Sequence, residues 1–302
     1  MRITKQEIEN GIYGLTVGDA LGVPYEFMTR EELRISPCVD MVGFGSHGQA
    51  RGVFSDDSSM ALATMDALSA SPDERYRAIM DNFVAWIDEG AFSISGAFDV
   101  GNTCYIAIMN YKGGTPPLSS GEADFYSNGN GSLMRILPAS LFYLAKYDGT
   151  EMTFIDDVSS LTHAHPVSLA ACRIYTDVVK AILLGKRKEE IFPIAEIYGQ
   201  SEYARLRDQR FYTCPESEIK SGGYVVESLE AALWCLYTTD NYKDCVLKAV
   251  NLGSDTDTTA AIAGSLAGLY YGKEGIPNAW LQALCGKELI QKIIDGFYKA
   301  IQ

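Results

Sequence analysis

A chain of 302 residues, 47% hydrophobic and 21% charged, can bury a sizeable core and carries too little charge for intrinsic disorder. Its formal net charge of −14 sets the surface against nucleic acid, although a small phosphate-bearing ligand is still allowed where a bound cation reverses the local sign. The seven cysteines, Cys38, Cys104, Cys172, Cys214, Cys235, Cys245 and Cys285, are scattered without a CxxC pair, which argues against a disulfide framework or a thiolate zinc site and for free thiols in a reducing cytoplasm. The polar N-terminus shows no secretory h-region, and no apolar run reaches the roughly 20 residues that span a bilayer.

Apolar residues recur at helical spacing along nearly the whole chain. Thr4-x-x-Glu7 reads as a capping box opening a helix through Ile8, Ile12, Leu15 and Ala20. A second helix is expected over Ser58–Ala70 and a third from Pro72 through Phe83 and Trp86. Further helical patterns cover 101–111, 133–144, 166–184, 225–237, 242–251, 258–271 and 287–301. Period-2 alternation is scarce, and Val39–Phe44 is the best strand candidate. The expected fold is all-α, one compact orthogonal helical bundle spanning 1–302, with 113–131 as a functional loop rather than a hinge. Gly14, Gly18 and Gly22, like Gly264, Gly268 and Gly272, recur every fourth residue. Glycine weakens a helix by about 1 kcal/mol, so two closely packed helices are the reading.

Two acidic clusters stand out. Ser55-Asp56-Asp57 precedes an Ala- and Met-rich helix, and Ser254-Asp255-Thr256-Asp257-Thr258 precedes a second small-residue helix. Singly, each reads as a helix cap. Together they hold more oxygen than caps need, and four carboxylates without cations would repel by several kcal/mol. Hard cations such as Mg²⁺ or Mn²⁺ prefer such shells. A helix N-terminus does not itself attract cations, so some oxygens must accept backbone N–H groups while others face metal.

Other segments add chemistry. Gly18-Asp19-Ala20-Leu21-Gly22 leads to a loop presenting Glu26. Asn128-Gly129-Asn130-Gly131-Ser132 precedes an expected helix carrying Met134 and Arg135; it is either a plain turn or a cradle of N–H groups for a diphosphate. His163 and His165 would not share a helix face, so stacking or hydrogen bonding is favoured over zinc. His47 reads as a surface residue.

This set resembles the ADP-ribosylglycohydrolase family from Gly11 to about Gly272. The resemblance rests on Gly18-Asp19-Ala20-x-Gly22-x-Pro24-x-Glu26, Ser55-Asp56-Asp57, Phe98-Asp99-Val100-Gly101-Asn102-Thr103, Asn130-Gly131-Ser132-Leu133-Met134-Arg135, Thr162-His163-x-His165-Pro166, Ser221-Gly222-Gly223-Tyr224 and Ser254-Asp255-Thr256-Asp257-Thr258, in the family's order. It implies a binuclear Mg²⁺ or Mn²⁺ centre held by Ser55, Asp56, Asp57, Asp255, Asp257 and Thr258, with Asp257 as bridge. The family often has Thr at position 55 and Gly at position 254. By the same resemblance Glu26, on a mobile loop, is an acid/base candidate and Asp99 lies near the ribose. Asn130, Gly131 and Ser132 line the diphosphate, and His163 and Tyr224 flank the ligand.

The implied activity is hydrolysis of the bond joining ADP-ribose to a modified acceptor, foremost protein arginine. The alternatives are an O-linked substrate (serine, poly(ADP-ribose) or O-acetyl-ADP-ribose) and a non-catalytic binding or structural member. The expected partner is an ADP-ribosylated protein, with no nucleic acid and no membrane, and the chain is expected to be a monomer.

Overall fold

The helical spacing yields helices and very little β-pairing. The computed structural model describes residues 1–69, 74–147 and 152–302. Among these the α-helices are α1 (Lys5–Gly22), α2 (Arg30–Ile35), α3 (Asp56–Ala67), α4 (Arg75–Glu89), α5 (Asn102–Lys112), α6 (Leu137–Lys146), α7 (Thr153–Ser160), α8 (Pro166–Leu183), α9 (Lys188–Ile191), α10 (Val225–Tyr237), α11 (Tyr242–Asn251), α12 (Thr256–Tyr271), α13 (Asn278–Ala283) and α14 (Lys287–Ile301). Short 3-10 turns link several of them. One continuous apolar core runs through the helices, with Trp86, Tyr175, Trp280 and Phe297 fully enclosed. No helix among the described residues is long and apolar enough to cross a membrane.

Several boundaries follow the sequence closely, and the departures have local causes. The Thr4–Glu7 capping box forms, with Glu7 N donating to Thr4 Oγ1. The expected starts at Pro72 and end at Ala70 lie outside the described residues. α3 and α12 begin at Asp56 and Thr256, two residues before the expected starts, so the acidic residues occupy the first helical turns themselves. The helix expected from Leu133 begins only at Leu137, where Pro138 suits a first turn because its missing N–H is an orphan there anyway. Met134 and Arg135 therefore lie in a turn ahead of it. Val39–Phe44 forms no strand. Its one ladder contact is the Phe44–Gln49 bridge, and Val39 and Phe44 face solvent with no sheet to bury them.

The glycine stripes bring α1 and α12 to backbone contact. A Cβ at Gly14 would lie 2.2 Å from Gly264 O, and one at Gly18 would lie 2.1 Å from Ala260 O. At Gly22 the neighbour is Asp257 Cα, 2.3 Å away. Gly272 does not belong to the stripe. It stands just past the end of α12 with φ +81°, as a stop in the left-handed region. The two helices run so that the end of α1 meets the start of α12, and Thr256 Oγ1 donates to Gly22 O at 2.9 Å. Glu26, four residues beyond α1, is thereby delivered to the acidic first turn of α12.

Candidate active site

Three N-terminal or loop segments converge at the open end of this helix pair. α1 contributes Asp19, which is fully buried and accepts from Ser55 N at 2.9 Å, Ser58 N at 3.0 Å and Ser58 Oγ at 2.5 Å. These are orphan N–H groups at the start of α3, so Asp19 docks that terminus onto α1. Burial, opposed by these bonds, pushes the Asp19 carboxyl up to about 6. The Glu26 loop is clasped to the loop before α12: Phe27 N donates to Ser254 O at 2.8 Å and Ser254 N donates to Met28 O at 2.7 Å. Ser254 takes φ +68°, which explains why glycine suits that position. Arg30 tightens the same clasp by donating to Leu252 O, Glu216 O and Ile219 O at 2.7–2.9 Å.

The two acidic clusters meet. Thr258 Oγ1 donates to Asp57 Oδ2 at 3.3 Å, and Ser55 Oγ donates to the same oxygen at 3.0 Å. Asp257 Oδ1 accepts from Thr258 N at 2.9 Å, and Asp255 Oδ2 accepts from Asn130 Nδ2 at 2.8 Å. In each of these three carboxylates one oxygen is engaged and the other is not. Asp57 Oδ1, Asp255 Oδ1 and Asp257 Oδ2 are buried without a hydrogen-bond partner among the described residues. This is the division of labour that acidic groups at a positive helix end require.

Ligand atoms of Asp19, Asp57 and Asp257 lie within 4.8 Å of one another, as do those of Glu26, His47, Asp99 and Asp257. Asp257 belongs to both groups. Burial first, and mutual repulsion second, raise Asp56, Asp57 and Asp257 well above the usual carboxylate range. Burial raises Asp255 as well, against the pull of Asn130. Free carboxylate oxygens in a buried, oxygen-rich cluster match the donor set of a hard divalent cation, and the residues present fit such a group.

A cavity of about 250 Å³ opens beside the cluster. Glu26, Asp56, Asp99, Asp255 and Thr258 line it together with Asn130, Gly131 and His163. Burial and the nearby Asp99 push Glu26 up to about 10. Asp99 is held at φ +58°, an uncommon backbone conformation, and its carboxylate belongs to the same group of ligand atoms as Glu26. His47 is not a surface residue. Its Nε2 contacts Glu26 Oε2 and lies 3.8 Å from Asp99 Oδ1, and its ring packs between Phe27 and Phe98. The sequence shows His47 only as a lone histidine in a glycine-rich loop, with nothing local to mark it.

Ser132 does not reach the cavity. Its hydroxyl lies 2.9 Å from Ser159 Oγ and 3.6 Å from Cys172 Sγ, behind the wall. Nor is the Asn130 segment the N-terminus of a regular helix. Asn130 N instead donates to Gly223 O, tying this loop to the one before α10. Ser221 O accepts from Asp255 N at 3.0 Å, so the 221–223 loop also positions the second acidic cluster. Tyr224, 39% exposed, lies in a shallow apolar hollow that adjoins the cavity through Gly129 and Gly223 and also contains Phe125 and Tyr126. The sequence marks Asp19 only as an acid within the otherwise uncharged Leu15–Leu21 run.

The comparisons with known proteins agree with this geometry. A model of the ADP-ribosylglycohydrolase family matches residues 2–302. The chain belongs to the ADP-ribosylglycohydrolase family. It is 32% identical to the ADP-ribosylarginine hydrolase Tri1 of Serratia proteamaculans, over 97% of this chain and 79% of that protein. It is 34% identical to the ADP-ribosyl-[dinitrogen reductase] glycohydrolase of Rhodospirillum rubrum, over 90% of this chain and 87% of that one. A solved structure described as an ADP-ribosylglycohydrolase-related protein complex superposes with a TM-score of 0.84 at 27% identity, covering 99% of both chains. The chain is thus an ADP-ribosylglycohydrolase, a hydrolase of bonds to ADP-ribose.

Proposed function

We propose that this ADP-ribosylglycohydrolase removes ADP-ribose from arginine on modified proteins, with two divalent cations, Mg²⁺ or Mn²⁺, held by Ser55, Asp56, Asp57, Asp255, Asp257 and Thr258. The observation that carries the metal reading is the set of three orphaned, buried oxygens on Asp57, Asp255 and Asp257. Asp257 is common to both groups of ligand atoms and would take part in holding either cation. Cations held there would supply charge stabilisation and Lewis-acid activation of water.

The protein's own groups do the rest. Cleavage builds positive charge at the anomeric carbon, which the carboxylates of the cavity wall stabilise. Guanidine is a poor leaving group and must be protonated as the bond breaks. Glu26, which lines the cavity and whose carboxyl burial raises in the cation-free protein, is the general acid. His47 keeps its carboxyl facing the cavity, and Asp99 adds negative charge beside it. Asn130, Gly131 and His163 line the diphosphate, and Tyr224 with Phe125 offers a flat apolar face to the base.

Arginine is favoured over an O-linked acceptor because the likeness to the arginine hydrolase spans 97% of the chain. Likeness to the human ADP-ribosylhydrolase ARH3 is 24% and spans 58%. A panel of arginine-, serine- and acetyl-linked ADP-ribose, with cation and with chelator, tests both parts. Release of ADP-ribose from the arginine conjugate only when Mg²⁺ or Mn²⁺ is present is the expected result. Preference for a serine conjugate would overturn the acceptor, and an unchanged rate in chelator would overturn the metal.

A further inference from the structure

Arg135 is a buried charge that the reaction above does not use. Its guanidinium is fully enclosed, lies over the Phe83 ring at 5.0 Å, and leaves Nε and Nη1 without a hydrogen-bond partner. Among the described residues no carboxylate pairs with it. Nη2 alone is engaged, donating to Val158 O at 3.0 Å and to Thr162 Oγ1 at 2.8 Å. Thr162 Oγ1 in turn lies 2.9 Å from His163 Nδ1. A guanidinium can only donate, so Thr162 Oγ1 accepts from Arg135, and its own proton is free for another acceptor.

Two acceptors are within reach of that proton, His163 Nδ1 and the Cys104 sulfur. The sulfur is the weaker of the two. The proton therefore goes to Nδ1. Burial, with help from the Arg135 charge, pushes His163 down to about 3, so the ring is neutral and carries a single proton. With Nδ1 accepting, that proton sits on Nε2. His163 lines the cavity with Gly129 and Gly131, and Cβ atoms built on these two glycines would lie 3.4 Å and 3.5 Å from Nε2, so Nε2 is on the side of the ring next to these lining glycines.

We infer that Arg135 is a positioning residue which, through Thr162, fixes His163 as the Nε2–H tautomer, so that the cavity wall presents a neutral donor to an anionic oxygen of the ligand. The identity of that oxygen as a diphosphate oxygen rests on the proposed function; the tautomer does not. Without Arg135, Thr162 Oγ1 could equally accept a proton from Nδ1, and the ring would offer the cavity an acceptor that repels the same oxygen.

Long-range ¹H–¹⁵N spectra of the full chain read the protonation of each ring nitrogen directly, and with three histidines the His163 signals are assigned by loss in His163→Gln. The unmodified chain shows Nε2–H alone. Thr162→Val and Arg135→Met give a mixture of tautomers, and Thr162→Ser restores the single form. In steady-state assays Thr162→Val raises KM for the ADP-ribosyl substrate about tenfold while kcat stays within about twofold. Should Arg135→Met fail to fold, Thr162→Val carries the test. A pure Nε2–H form in both variants, or Nδ1–H in the unmodified chain, overturns the inference. A chain with the expected spectra that releases ADP-ribose from no conjugate overturns the functional reading instead.

Discussion

The Thr258 hydroxyl donates to Asp57 Oδ2 at 3.3 Å although 201 residues separate the two. This bond marks where the first turns of α3 and α12 face each other, and it makes the two acidic clusters one site. Asp257, with one oxygen on Thr258 N and the other unpartnered, stands between them. Removing that carboxylate in Asp257→Ala is expected to lower turnover by more than about 100-fold, since even partners of metal ligands cost 10- to 100-fold. Helical circular dichroism should stay near that of the unmodified chain. A folded variant with full activity would remove Asp257 from the site.

The raised carboxylates have a consequence for stability in the cation-free protein. Asp19 and Glu26 sit at about 6 and about 10 when folded, above the ordinary values of about 4 in an unfolded chain. A group whose folded pKa is raised binds its proton more tightly in the native state. Its contribution is complete below about pH 4 and is lost as pH rises through the folded value. Thermal melts in chelator are therefore expected to show a falling Tm between pH 5 and 8. Adding Mn²⁺ or Mg²⁺ should raise Tm most at the upper end, where the carboxylates are ionised. A Tm in chelator that rises steadily over this window would contradict the buried, repelling cluster.

Contact between α1 and α12 leaves no room for a side chain. A Cβ at Gly18 would meet Ala260 O at 2.1 Å, a backbone atom that cannot rotate away. Gly18→Ala is expected to destabilise the fold by about 3 kcal/mol, at the upper end of overpacking costs, and to lower activity by shifting Asp257 relative to Glu26. Urea unfolding measures it. At Gly101, where an added Cβ meets nothing within 4 Å, the alanine variant should lie within about 0.5 kcal/mol of the original.

His47 separates two ways of holding Glu26. If its ring serves to keep the Glu26 carboxyl aimed into the cavity, His47→Ala should lower kcat by about tenfold or more, the scale expected when a general acid is misplaced. KM for the ADP-ribosyl substrate should change less, because His47 acts on Glu26 and not on the ligand. His47→Gln, which keeps a donor near the same place, should recover part of the loss. Equal activity in all three proteins would show that Glu26 is held by its loop alone.

Local chemistry in the chain already determined most of the helices. α10, α11 and α14 run over the spans that their apolar spacing marks, and Thr4 and Glu7 form their capping box. The residues able to take cations were also legible, because acids and hydroxyls crowded into a few positions are visible without a fold. Tertiary structure decided who meets whom. Gly14, Gly18 and Gly22 pack α1 on α12 and set where Glu26 arrives. Asp19 gained its role by reaching the first N–H groups of α3, and His47 gained its own by folding back onto Glu26. Ser132, which the motif places beside the ligand, turned behind the wall toward Ser159. Periodicity records which face of a helix is apolar. Which polar groups share one cavity depends on how closely helices pack and how loops return, and those distances are set between residues far apart in the chain.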